Sequence, residues 1–237
     1  MNKIRVEFAT LDTCSKASGV VIAIDVMRAF TTAAYGFAAG ARHILLASTV
    51  EQALALRERF PGALVMGESG GLPVVGFDLW NSPGQFSGLD ITNRTLIQRT
   101  SAGTQGVVRA SSAEYLFAAS FVVAGATIRA VQRLQPNQVT FVLTGVRPDE
   151  PGSGQEDVAC AEYMAALLRG QKPDPTSSLA WVTGYLSGRL HEASEDLINR
   201  FKIDLDLCSQ IDRFHFSMPV KRQGDLLVME KSIYVPD

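Results

Sequence analysis

Cysteine is scarce in this chain. Cys14, Cys160 and Cys208 are the only ones in 237 residues, and no two form a Cys-x-x-Cys pair. That spacing excludes a clustered zinc site and a disulfide framework, and it points to reduced thiols in a cytoplasmic protein. Long apolar runs are missing as well. Nothing approaches the roughly eighteen residues of a membrane span. The start, Met1-Asn2-Lys3-Ile4-Arg5, leads into Val6-Glu7-Phe8 without an apolar signal core. Neither sign of charge prevails: 22 Lys and Arg stand against 24 Asp and Glu, a formal net charge of −2. The basic residues are scattered, not gathered into a groove for a phosphate backbone. Nucleic acid and membrane are therefore not expected partners.

Familiar catalytic signatures are few. There is no Gly-x-x-x-x-Gly-Lys-Ser/Thr loop and no Gly-x-Gly-x-x-Gly after the first apolar run. His191-Glu192 lacks a second histidine four residues on, so it is no zinc-protease motif. His43 precedes a strand-like run and His215 lies between two phenylalanines. All three histidines read as structural.

What the chain does have is a regular alternation. Apolar residues make up 46% and charged ones 19%, the balance of a globular protein. Short continuous apolar runs recur at Val20 to Ile24, Ile44 to Leu46, Leu64 to Met66, Leu96 to Ile97, Phe121 to Val123 and Val139 to Leu143. Strands covered by helices on both faces read this way. Helical segments lie between them: Arg28 to Ala39, Glu51 to Phe60, Thr127 to Leu134 and Glu156 to Leu168. Ser48 with Glu51 could form a capping box, and Pro61-Gly62 stops the second helix. Shorter helices are expected over Leu179 to Leu190 and Ser194 to Phe201. Phe214 to Arg222, a Gln223-Gly224-Asp225 turn and Leu226 to Tyr234 read as a terminal hairpin. The expected fold is a layered α/β/α arrangement with a mostly parallel sheet and a C-terminal hairpin. It is expected to form a single domain over residues 1–237, in which two lobes could share one core.

In open α/β sheets, ligands bind beyond the carboxyl ends of the strands, so the residues after each run are the candidates. Asp25 follows the first run; it could hold a divalent metal or cap a helix. Arg28 lies one helical turn on and could pair with an anion or with Asp25. Gly67-Glu68-Ser69-Gly70-Gly71 follows the third run and places a carboxylate among glycines at a strand end. Gly76-Phe77-Asp78-Leu79-Trp80-Asn81-Ser82-Pro83 comes next; Asp78 could join a metal shell while Asn81 and Ser82 reach a ligand, or the segment could be an Asx-type turn. Arg99 to Gly106 offers hydroxyls and backbone N–H groups to an oxyanion at a helix start, with Ser101, Gly103 and Thr104 its main donors. Glu156 and Asp157 open a helix. They either complement its dipole or bind metal near a phosphate.

These segments together resemble the 2-phosphosulfolactate phosphatase family. The ordered blocks are Ile24-Asp25-Val26-Met27-Arg28-Ala29-Phe30-Thr31-Thr32, Gly67 to Gly71, Gly76 to Pro83, Thr100-Ser101-Ala102-Gly103-Thr104, and Glu156-Asp157-Val158-Ala159-Cys160-Ala161. They cover roughly residues 5 to 170. The resemblance implies an α/β fold and a Mg²⁺-dependent phosphatase that releases sulfolactate from its phosphate ester, a step towards coenzyme M. Asp25, Glu68, Asp78, Glu156 and Asp157 would supply metal oxygens. Arg28, Asn81, Ser82 and the Ser101 to Thr104 loop would bind the small anionic phosphorylated substrate. Asp25 and Glu68 are the residues expected to carry catalysis, and a homo-oligomer is compatible with the reading. The chain departs from the family pattern at Ser69, where arginine is common, at Trp80, where glycine is common, and at Ala102. The alternative is a non-catalytic anion-binding protein on the same fold.

Overall fold

The apolar runs build two parallel half-sheets, and the C-terminal hairpin joins them. The structure, a computed structural model, describes residues 4–181 and 195–233. In the first half, β1 (Arg5–Ala9), β8 (Gln138–Leu143), β2 (Val20–Ile24) and β7 (Tyr115–Ala119) pair in that order, all parallel. In the second, β3 (His43–Leu46), β6 (Thr95–Arg99), β4 (Leu64–Gly67) and β5 (Leu79–Trp80) do the same. Between them stand β9 (Phe216–Gln223) and β10 (Leu226–Glu230), antiparallel to each other, to β7 and to β3. A short β11 (Ser232–Ile233) folds back onto β9.

Three successive antiparallel pairings mean that the two halves run in opposite directions. The strand ends carrying the candidate residues therefore do not share one edge of a uniformly parallel sheet, as the strand–helix alternation alone implies. Sheet twist, which accumulates by roughly 20° per strand, curls the structure so that the ends of β2 and β8 approach those of β4 and β6. The hairpin expected at the end of the chain is a central junction instead of an appended edge.

Side-chain alternation shows how the second half is covered. Ile44, Leu46, Met66 and Leu96 face the main core, while Leu45, Val65 and Ile97 face a smaller cluster with Ala53 and Leu56. The two latter residues belong to α2 (Val50–Arg59), which closes that face. Period-two alternation sends successive side chains to opposite faces, and both faces are dry, so the runs look continuously apolar. α1 (Ala29–Ala38) is buried along nearly its whole length. Its alanines and Gly36 permit this: a Cβ at Gly36 would lie 2.8 Å from Leu96 Cδ1. In the first half, α4 (Ala124–Arg133) and α5 (Gln155–Leu168) pack against each other. α3 (Gly103–Arg109) follows β6, and α6 (Pro175–Ser178) is capped by Asp174, which accepts from Thr176 N and Ser177 N. α7 (Glu195–Cys208) docks on the 3-10 turn Pro83–Phe86.

Three local expectations shift. Phe121–Val123 is a buried 3-10 turn between β7 and α4, not a strand, because Ser120 ends the extended segment first. The second helix is capped by Thr49, whose hydroxyl accepts from Gln52 N, while Gln52 Oε1 accepts from Ser48 N, the residue before the cap; Thr49 and Gln52 thus take the place expected of Ser48 and Glu51. The helix expected to end at Phe201 continues to Cys208. Most of Leu179 to Leu190, together with His191 and Tyr234, lies outside the described residues. The three cysteines are buried and free. Among the described residues, no helix is long and apolar enough to cross a membrane.

Candidate active site

The loops after β2, β4, β6 and β8 border one cavity of about 390 Å³. Asp25, Arg28, Glu68, Asn81, Ser101, Glu156 and Asp157 line it, joined by Gly70, Gly71, Gly145, Arg147, Glu150 and Phe201. Seven candidate residues from five separated segments thus come together. A larger cavity of about 690 Å³ adjoins it around the start of α5 and shares Glu156. It is lined by Glu150, Glu162 and Trp181 among others, but Glu156 is the only sequence candidate that it holds, so the smaller cavity is where the candidates converge.

Asp25 ends β2 and is only 6% exposed. Its Oδ1 accepts from Ala29 N at 2.9 Å, and its Oδ2 from Thr144 Oγ1 at 3.3 Å. It therefore caps α1 and still faces the cavity. Burial pushes its pKa up to about 6, against the Ala29 hydrogen bond; Glu156 and Glu68 nearby push the same way. Gly103 packs directly on it: a Cβ there would stand 2.7 Å from Asp25 Oδ2 and 2.6 Å from Ala29 Cβ. Gly103 does not line the cavity; its lack of a side chain lets α3 approach Asp25. Gln98 Nε2, on β6, donates to Ala29 O at 2.8 Å and ties the two halves together here.

Asp157, on the first turn of α5, is 1% exposed. It accepts from Val26 N at 2.9 Å and from Gly145 N at 2.7 Å, bracing the loops after β2 and β8. Burial raises its pKa well above the ordinary carboxylate range, with Asp25 and Glu156 adding to the effect. Glu156 beside it is also buried.

Glu68 does the matching work in the second half. One of its oxygens accepts from Ser101 N, the other from Gly71 N at 2.6 Å and Ser101 Oγ at 3.0 Å. Arg99 Nη1 in turn donates to Glu68 O at 2.7 Å. Gly67 makes this approach possible: its φ is +138°, and a Cβ would fall 1.8 Å from Arg99 O. Ser69, central in the Gly-x-Ser-x-Gly spacing of 67 to 71, sits exposed in the tight turn bridged by Ser69 and Leu72. It is not on the strand-to-helix elbow that a hydrolase nucleophile needs.

Arg28 forms the cationic wall. Its Nη1 lies 2.5 Å from Asp204 Oδ2, and its guanidinium stands over the rings of Trp80 at 4.9 Å and Phe201 at 5.7 Å. Ser82 is directed to the same carboxylate, donating to Asp204 Oδ1 at 2.7 Å. Asn81 is 5% exposed, and its Oδ1 has no hydrogen-bond partner although the side chain lines the cavity.

Two further candidates lie apart. Asp78 is exposed; it accepts from Val65 N at 2.8 Å and faces Arg57 at 4.0 Å, away from the cavity. Thr104 is fully buried and exchanges hydrogen bonds with Thr100 across the start of α3. Sequence reasoning misses Arg147, Phe201 and Asp204. Arg147 lies four residues past β8, where a longer census of strand ends would find it. Phe201 and Asp204 sit on a C-terminal helix and carry no local signature.

Five carboxylates and two arginines line the cavity. Among the described residues, no three His, Cys, Asp or Glu side chains gather into a metal cage. Mg²⁺ needs less: one or two carboxylates, with waters and substrate oxygens completing its shell. Asp25 and Glu156 supply that kind of hard oxygen donor.

Comparison with known proteins covers most of the chain. The model of the 2-phosphosulpholactate phosphatase family matches residues 8–223. A Bacillus subtilis protein named "Probable 2-phosphosulfolactate phosphatase" is 32% identical over 214 residues, 90% of this chain and 91% of the relative. One of the same name from Carboxydothermus hydrogenoformans is 33% identical over 223 residues, 90% of each. Another from Deinococcus radiodurans is 38% identical over 153 residues, 62% of each.

Proposed function

We propose that this chain, which belongs to the 2-phosphosulpholactate phosphatase family, is a phosphoric monoester hydrolase. Its substrate would be 2-phosphosulfolactate or a closely related phosphorylated hydroxy acid, and its cofactor Mg²⁺. The observation that carries this reading is the split polarity of the cavity. Buried acids Asp25, Glu156 and Asp157 stand on one side, and Arg28, held between two rings, stands on another. A multiply charged anion could not enter beside the acids without a cation; it could enter with one.

Asp25 and Glu156 would hold the Mg²⁺, with Glu68 close by. When bound, the ion screens the phosphoryl charge and acidifies water beside it. The remaining work falls to the chain. Asp25 is the carboxylate best placed to orient the attacking water, because Ala29 N fixes one of its oxygens. Asp157 fixes the loops on either side of it, so the acceptor is set before substrate arrives. Asn81 Oδ1, buried and unpartnered, would accept from the attacking water. Arg28 and Arg147 would bind substrate oxygens. Placement in the cytoplasm and a step towards coenzyme M belong to this same reading.

Phosphate release from a panel of phosphorylated hydroxy acids tests it. The expected result is turnover of 2-phosphosulfolactate that EDTA abolishes and Mg²⁺ restores. Binding of sulfolactate without release of phosphate from any panel member would support the non-catalytic alternative.

A further inference from the structure

We propose that Asp204 is a positioning residue that makes Arg28 the reader of the substrate's sulfonate, an anionic group that is not hydrolysed. This rests on the phosphomonoesterase reading above, under which the substrate carries a phosphoryl group, a carboxylate and a sulfonate on one small carbon frame.

The geometry separates two kinds of wall. The acids that invite a cation, and so the phosphoryl group, gather around Asp25, whose charged neighbours are Glu156 and Glu68. Arg28 lies three residues along the chain, but its surroundings are of another kind: the Trp80 and Phe201 rings and a single carboxylate. A guanidinium between rings is weakly hydrated and keeps its donors in one plane. That suits a large, weakly hydrated anion attached to an apolar carbon.

Asp204 sets that plane. It is 1% exposed and wholly engaged: Oδ2 meets Arg28 Nη1, while Oδ1 accepts from Ser82 Oγ at 2.7 Å and Gly84 N at 3.3 Å. Three donors from two segments hold the carboxylate, and the carboxylate holds one nitrogen of the guanidinium fork. Arg28 itself lines the cavity. The 80 to 84 segment thus contributes a seat for an arginine: a ring from Trp80, and anchors for Asp204 from Ser82 and Gly84.

Calorimetric titration of the full chain in Mg²⁺ tests the assignment, with three probes: sulfolactate, lactate (which keeps the carboxylate and lacks the sulfonate) and inorganic phosphate. Asp204→Asn should weaken sulfolactate at least about tenfold more than lactate or phosphate, the scale of one charge-assisted hydrogen bond. Ser82→Ala, a milder change that keeps Asp204, should show the same contrast at about threefold. Asp204→Glu should recover part of the loss. Weakening of lactate or phosphate equal to that of sulfolactate, no weakening of sulfolactate, or failure of the wild-type chain to bind sulfolactate would overturn the proposal. If Asp204→Asn does not fold, the Ser82→Ala contrast decides. Turnover is a separate reading: a wild-type chain that binds sulfolactate yet releases no phosphate would defeat the phosphatase assignment while leaving the Asp204 contrast intact.

Discussion

The two half-sheets use one device and put it to different ends. In each, a buried carboxylate accepts backbone N–H groups from two neighbouring loops: Asp157 from the loops after β2 and β8, Glu68 from those after β4 and β6. In the first half, the brace is itself part of a crowd of acids, and burial and mutual repulsion push both Asp25 and Asp157 upward. In the second, the brace is surrounded by donors, with Ser101 giving both its N–H and its hydroxyl. The same local solution yields a charged, frustrated wall on one side and a satisfied frame on the other. A site that must attract a cation needs the first; a site that must keep its shape needs the second.

Substitutions can undo that contrast, and the largest effect should come from the frustrated wall. Asp25→Asn should lower kcat/KM by about 10³-fold in saturating Mg²⁺, the scale of losing a charged metal ligand at the reacting centre. The fold should survive, because Asn keeps an oxygen for Ala29 N. Glu68→Gln should act on the frame instead. It turns one acceptor into a donor facing Gly71 N or Ser101 N, at about 2 kcal/mol, or about 4–8 °C in Tm. Calorimetric melting checks it.

A pH series probes the same difference. A buried carboxylate whose folded pKa lies above its unfolded value binds protons more tightly in the folded state. The metal-free protein should therefore lose stability as pH rises from about 4 through about 6, the interval between the ordinary value of 3.8 and the folded value of Asp25. Asp157 adds to the trend with the same sign. Asp25→Asn should flatten the slope in melting curves across that range, and Mg²⁺ should offset the loss at higher pH. The smallest effect should come from Asp78. Exposed and outside the cavity, Asp78→Asn should change stability by less than about 0.5 kcal/mol and leave Mg²⁺-dependent turnover near its starting value in the same assay.

Several of these residues are legible from the order of amino acids alone. Val20 to Ile24 is a strand because it is apolar on both faces, and Asp25 at its end is a candidate because ligands collect there. Glu68 stands out among its glycines, and Gly67 and Gly103 turn out to be required by contacts of less than 3 Å. Other features depend on pairing between distant segments. Nothing in Phe216–Gln223 says that it lies between β7 and β10 and so reverses one half of the sheet against the other. Ser82 reads as a ligand contact until Asp204, 122 residues away, is placed beside it. Phe121–Val123 shows the limit of apolar runs: they report burial, and a buried 3-10 turn satisfies them as well as a strand does.

On this reading the first half carries the chemistry and the second half the frame. Measuring kcat/KM for 2-phosphosulfolactate alongside Tm, for Asp25→Asn and Glu68→Gln in parallel, tests that division most directly. Asp25→Asn is expected to lose turnover by about 10³-fold while keeping its melting temperature, and Glu68→Gln to lose melting temperature first. Turnover by Asp25→Asn within about tenfold of the wild-type chain would contradict it.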